Sequence, residues 1–170
     1  MSLLRLTRRE AGTAGHWSGP ADETALQAAL NRLPVPHRPQ RTGVLPGPTG
    51  ESNRLSLIAR PPLLCLGPGA AAVAEQVTAV QALGGLAVSV DGSLDPEALA
   101  RLTGFSGVIW WGDDGTGRAL AQALASRPGP ILPLITDCPD AGHALLERHL
   151  CIDTTASGGN AELLAEMGQT

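Results

Sequence analysis

The clearest chemical spelling in the chain is Gly67-Pro68-Gly69-Ala70-Ala71-Ala72, which fits G-x-G-x-x-A between a short apolar run and a helical pattern. In such a turn the first glycine makes the bend and the second lets backbone approach a pyrophosphate. The small third residue packs helix on strand. Asp91 ends the next apolar run, 24 positions beyond Gly67, where an acid can hold a ribose hydroxyl. Gly67, Gly69, Ala72 and Asp91 together spell a dinucleotide site for NAD(P). Pro68 works against it, because it removes one loop N–H that would face the anion. Any strand-to-helix turn also favours small residues.

Other candidates are less specific. Trp110-Trp111-Gly112-Asp113-Asp114-Gly115 sits at the end of a third apolar run. Its acid pair could hold Mg²⁺ as in a phosphoacceptor receiver domain, but that chemistry also wants a lysine, and the chain has none. The plain alternative is a polar turn whose acids sit near a helix N-terminus, where the dipole favours them. The adjacent tryptophans point to opposite faces of a strand, so at least one is expected to be covered. Cys65 lies mid-strand, where a small thiol packs. Cys151 follows His149 by two residues, which does not make a catalytic pair. Cys138, before Pro139, is the most accessible of the three. His143 and His149 are six apart rather than three or four, and Glu147 suits a surface, so no metal site is expected.

The elements that must position these residues follow from periodicity. Apolar runs begin near Leu63, Leu86, Val108 and Ile131, at separations of 23, 22 and 23 positions, with helix-length segments between them. Each run is almost wholly apolar, as strands buried on both faces are. Strand–helix alternation of this kind predicts an α/β fold: a Rossmann-like open parallel sheet with flanking helices. Gly84-Gly85 stops the first of these helices. Asp95-Pro96-Glu97 opens the second, which Gly104 ends. The third spans roughly 116–127, before Pro128. A fourth is expected near 140–150, with Leu146, His149 and Leu150 on or beside one face. Ahead of the core, Asp22 to Leu33 reads as a helix, 34–50 as a proline-rich extended connector, and Asn53 to Arg60 as a strand. The expected organisation is an irregular N-terminal flank over 1–60, a core over 61–150, and a tail over 151–170.

Composition sets the outer limits. A chain of 170 residues, 43% apolar and 16% charged, suits one domain with a self-sufficient core. The net charge of −4 disfavours nucleic acid and anionic membrane, and no run approaches a membrane span. All twelve basic residues are Arg and there is no Tyr, which excludes a P-loop lysine, a Schiff-base lysine and a catalytic tyrosine. Three cysteines without a C-x-x-C pair argue against a disulfide framework or a cysteine zinc site. No apolar h-region follows the early arginines, so a secretory signal is not expected and a reducing cytoplasm is.

Two further stretches carry a family resemblance. One is Leu45-Pro46-Gly47-Pro48-Thr49-Gly50-Glu51-Ser52-Asn53 with the later Leu63-Leu64-Cys65-Leu66; the other runs from Leu146 to Ala161 and closes on T-x-A-x-G-G-N-A. Over residues 45–165 the chain resembles the C-terminal end of the proline utilization A (PutA) family, bifunctional proline-catabolic flavoenzymes. The resemblance implies a parent with a proline dehydrogenase domain using FAD and a glutamate-semialdehyde (1-pyrroline-5-carboxylate) dehydrogenase domain using NAD⁺, joined by a channel. Longer members carry an extra C-terminal domain of aldehyde-dehydrogenase-superfamily type without catalytic machinery, whose tail packs on the dehydrogenase and helps wall off the cavity. By this resemblance the chain is expected to have no catalytic residues or cofactor of its own, and its expected partners are the two dehydrogenase domains and, in a homo-oligomer, a second copy. None of Cys65, Cys138 and Cys151 stands in the Gly-Gln-x-Cys setting that the superfamily's nucleophile uses. The expected contact residues are Thr154, Thr155, Gly158, Gly159 and Asn160. The glycines admit a facing backbone, and Asn160 offers both a donor and an acceptor. An NAD(P)-binding oxidoreductase module and a plain oligomerisation domain are the rival readings.

Overall fold

The computed structural model describes residues 15–34 and 36–153. The chain divides into two compact units. The first holds the segment up to Pro36 together with Ala59–Leu145, and the second holds His37–Ile58 together with the chain from Leu146 onward.

In the first unit, α1 (Glu23–Arg32) begins where expected, because the Asp22 carboxylate accepts from the backbone N–H groups of Thr24 and Ala25 at 2.9 and 3.0 Å. The parallel sheet consists of β3 (Leu63–Cys65), β4 (Ala87–Ser89), β5 (Gly107–Ile109) and β6 (Leu134–Ile135), in the order β4-β3-β5-β6. These follow β1 (Arg41–Leu45) and β2 (Glu51–Ala59) of the second unit in chain order. Both faces of the sheet are covered, which explains the unbroken apolar runs. Leu64, Leu66 and Val108 join Leu26 and Leu30 of α1 on one face, while Leu63, Cys65 and Ile109 meet Val73 and Val80 on the other. Those valines belong to α2 (Gly69–Ala82), which ends at Gly84 with φ +81° as Gly85 N–H donates to the Val80 carbonyl at 3.0 Å.

Three expectations need correction. The helix after β4 is a single turn, α3 (Ala98–Arg101). Asp95 starts it through a preceding turn, accepting from Glu97 N–H on its side chain and from Ala98 N–H on its carbonyl. The Gln27 amide ends it well before Gly104 by bonding both the N–H and the carbonyl of Thr103. The second correction is that β6 starts three residues later than Ile131, which is 92% exposed. Third, the region 140–150 is not one helix. It forms a single turn, α5 (Ala141–Ala144), and then β7 (Leu145–Asp153). Leu146 and Leu150 are four apart, an even spacing that a strand satisfies as well as a helix does. Pairing with β2 decided between them. The turn itself is held by Arg60, whose Nε donates to the carbonyls of Gly142 and Leu145.

The second unit is a three-stranded sheet in the order β1-β2-β7. β1 and β2 are antiparallel, with Gly43 opposite Leu55. The proline-glycine block is the turn between them, closed by Glu51 N–H on the Pro48 carbonyl and by Gly50 at φ +94°. The expected connector over 34–50 therefore contains a strand, although its residues stay exposed.

After β5, Trp110 folds back over Gly112 and against Gly117 of α4 (Asp114–Ala125), and its Nε1 donates to the Asp113 carbonyl at 3.0 Å. A methyl on Gly112 would collide with the Trp110 ring, whereas one on Gly117 would meet it at an ordinary 3.5 Å. Gly112→Ala is expected to cost about 1–3 kcal/mol of stability, the usual range for overpacking. Gly117→Ala is expected to be neutral or to stabilise by up to about 1 kcal/mol, by removing a helix-interior glycine. Urea unfolding of the two variants beside the parent checks the contrast.

Candidate functional site

Sheet order reverses around β3, because the chain leaves it for β4 on one side and later returns to β5 on the other. The carboxyl ends of β3 and β5 therefore flank the switch point at which open α/β sheets hold ligands. A cavity of about 350 Å³ lies there within the first unit, walled by Leu66, Pro68, Leu94 and the indoles of Trp17 and Trp110. His16, Ser93, Asp113 and Thr116 supply its polar lining.

The glycine turn lies beside this cavity, and its backbone is engaged from within. Gln76, fully buried on α2, accepts from Gly67 N–H through Oε1 at 3.0 Å and donates from Nε2 to the Gly67 carbonyl at 2.8 Å. Trp111 N–H donates to the same carbonyl at 2.9 Å. Gly67 and Gly69 have φ of +97° and +77°, conformations that L side chains rarely adopt, so both glycines are required by the turn itself. A Cβ on Gly69 would lie 3.0 Å from Gly15 Cα, because the 15–17 segment runs over the turn. Trp17 fixes that segment by donating from Nε1 to the Leu66 carbonyl at 3.1 Å. Further along, Ser93 N–H donates to the Gly19 carbonyl and Ala21 N–H to the Ser93 carbonyl. An incoming anion thus finds the Gly67 N–H already donated and no N–H at Pro68. Ala72 is half-buried on α2; Asp91 is exposed after β4 and is not among the described residues that line the cavity.

The acid pair has a local task. Asp113 caps α4, accepting from Thr116 N–H at 2.9 Å, and that bond holds its carboxyl below the usual carboxylate range. Asp114 occupies the first turn of the same helix. Trp111 donates from Nε1 to the Asp137 carbonyl at 3.0 Å and packs on the opposite face of the sheet from the core cluster that Trp110 touches. Cys65 is fully buried, which pushes its thiol up to about 12, while Cys138 and Cys151 are exposed. His143 is paired with Asp140 at 2.8 Å in the capping box of α5, and His149 and Glu147 are exposed on β7. Among the described residues no group of three or more His, Cys, Asp or Glu could hold a metal ion. No described helix is long and apolar enough to cross a membrane. Thr154, Thr155, Gly158, Gly159 and Asn160 lie outside the described residues.

Sequence reasoning passed over Gln76 and Trp17. Gln76 left a trace, as a polar side chain on the helix stripe of Val73, Val77 and Val80. Trp17 left none, because its partner is a backbone carbonyl 49 positions away.

Comparison with known proteins bears on this arrangement. No family profile matches the chain. The bifunctional protein PutA of Salmonella typhimurium is 30% identical over 167 aligned residues, covering 85% of this chain and 13% of that protein. Its Escherichia coli counterpart is 31% identical over 144, covering 71% and 11%. The chain is similar to a short segment of bifunctional PutA proteins. It spans about an eighth of the length of these curated relatives. A crystal structure of bifunctional proline utilization A aligns with 66% of this chain and 14% of its own, at 23% identity and a TM-score of 0.43. A mutant PutA from Bradyrhizobium japonicum aligns over the same share at 24% identity and the same TM-score.

Two outcomes follow from the geometry. Gln76→Leu keeps volume but strands the Gly67 N–H in a buried turn, so it is expected to lose about 1–3 kcal/mol in chemical denaturation. The thiols should separate by reactivity: in native protein Cys138 and Cys151 label promptly with an aromatic disulfide reagent, and Cys65 labels only on unfolding. Because the folded thiol of Cys65 titrates near 12 against an ordinary 9.0, its protonated form is the one the fold retains. Its contribution to stability is complete below pH 9 and is lost between there and 12. Cys65→Ser, whose hydroxyl does not titrate there, should flatten that part of the stability–pH curve.

Proposed function

We propose that this chain serves as a non-catalytic C-terminal domain of a PutA-type proline-catabolic enzyme. In this reading it packs on the aldehyde dehydrogenase domain, helps seal the substrate-channelling cavity and supports oligomerisation. The observation that carries the reading is the similarity across 85% of the chain to a protein named bifunctional PutA of which it spans only 13%. The remaining length of such a parent supplies the partners: a proline dehydrogenase domain with FAD and a glutamate-semialdehyde dehydrogenase domain with NAD⁺. The compartment is then the cytoplasm.

Physical features of the second unit support a contact role. Val44 is 79% exposed and Leu150 50%, with Leu45 and Leu146 also exposed. Among the described residues β1 and β7 are the outer strands of this sheet, each beside β2. Exposed apolar side chains grouped on the outer strands of a sheet suit a surface that another folded body covers. The tail residues Thr154, Thr155, Gly158, Gly159 and Asn160 continue from β7 and complete the proposed contact. The rival reading, an NAD(P)-binding oxidoreductase module on Gly67, Gly69, Ala72 and Asp91, has against it the donor groups that Gln76 and Pro68 withhold.

In the full parent enzyme, removal of residues 153–165 is expected to slow coupled proline-to-glutamate turnover more than either half-reaction. The truncation should also lengthen the lag before NADH forms. Stopped-flow comparison with the intact enzyme tests this, and unchanged coupled flux with an unchanged lag would rule out the sealing role.

A further inference from the structure

We propose that the cavity at the carboxyl edge of the parallel sheet binds a small planar organic cation. This goes beyond the domain-packing role and does not depend on it. The cavity lies wholly within the first unit, and about 350 Å³ is ample for a single substituted ring and a few waters. Two of its walls are the indoles of Trp17 and Trp110. Each is anchored by its own Nε1–H, to the Leu66 carbonyl at 3.1 Å and to the Asp113 carbonyl at 3.0 Å. Ring edges tied down in this way form fixed walls that need no reordering when a guest arrives. Indole faces attract cations more strongly than other aromatic side chains do.

Apart from His16, the ionisable lining is acidic. Asp113 is its carboxylate, kept ionised by the Thr116 N–H, and neither Arg nor Lys lines the cavity among the described residues. Asp114 adds a second negative charge in the same helical turn. Two of the groups that would welcome an anion at a switch point are spent or missing, since Gly67 N–H belongs to Gln76 and Pro68 has none. A phosphate or carboxylate would therefore meet the charge of Asp113 with fewer donors than a dinucleotide turn offers. A planar cation would meet indoles and a carboxylate instead.

Benzamidinium, benzamide and benzoate share one ring and nearly one size while carrying charges of opposite sign or none, which makes them suitable probes. The readout is the three indole N–H signals in a ¹⁵N-correlated spectrum of the whole chain, where Trp111 serves as the internal control because it does not line the cavity. Benzamidinium is expected to shift the Trp17 and Trp110 signals, leave Trp111 in place, and bind at least about tenfold more tightly than benzoate. Asp113→Asn keeps a side-chain oxygen to cap α4 and preserves the fold. In that variant the advantage of benzamidinium over benzoate should fall at least about threefold, the indole faces retaining the remainder. Benzoate binding as well as benzamidinium would overturn the proposal. So would a preference untouched in Asp113→Asn, or unmoved Trp17 and Trp110 signals up to about 10 mM probe, beyond the millimolar range where weak sites saturate.

Discussion

The turn that leaves β3 is closed from inside the molecule, and the carboxyl edge of the sheet is organised around that closure. Gln76 reaches from α2 to take both backbone polar groups of Gly67, and Trp111 adds a third bond from the end of β5. Three elements, β3, α2 and the segment after β5, therefore meet on one residue. An amide is suited to this position because it offers one acceptor and one donor to a backbone unit that presents the complement. The network is buried, so each bond is protected from competition by water and each loss would leave an unpaired group. Gly67 and Gly69 complete the constraint, since their positive φ values allow the chain to turn under Gln76 at all.

That closure shapes what the edge can do. The switch point of an open parallel sheet is where ligands ordinarily sit, and a cavity lies there. Its chemistry differs from the one that the glycine spelling suggests. A dinucleotide turn offers its backbone N–H groups outward, whereas here Gly67 turns its N–H inward and the 15–17 segment crosses Gly69. What remains at the edge is a pair of anchored indoles and the acidic cap of α4. The same letters, G-x-G-x-x-A, thus accompany a turn whose glycines are needed for backbone geometry and close packing.

The second unit follows other physics. Among its described residues Val44, Leu45, Leu146 and Leu150 are large apolar side chains that reach solvent. β7 shows how fine the balance between helix and strand is in such a segment. Leu146 and Leu150 satisfy either period, and Arg60 bonds the carbonyls of Gly142 and Leu145, ending α5 after one turn so that the chain is free to extend.

The sequence by itself determined the parallel sheet, because short all-apolar runs such as Leu63-Leu64-Cys65-Leu66 recur at near-constant spacing with helix-length segments between them, the pattern of strands covered on both faces. It also determined most helix starts, since Asp22 and Asp113 act within four residues of themselves. The tertiary structure alone decided three things: that the glycine turn faces inward on Gln76, that Trp17 roofs the cavity edge, and that 145–153 is a strand. Each depends on a partner distant in the chain or on the opposite side of a turn, and local propensity carries no information about such partners. Short-range hydrogen bonds and burial patterns are written in neighbouring residues, whereas the direction in which a buried N–H finally points is settled only when the whole core has closed around it.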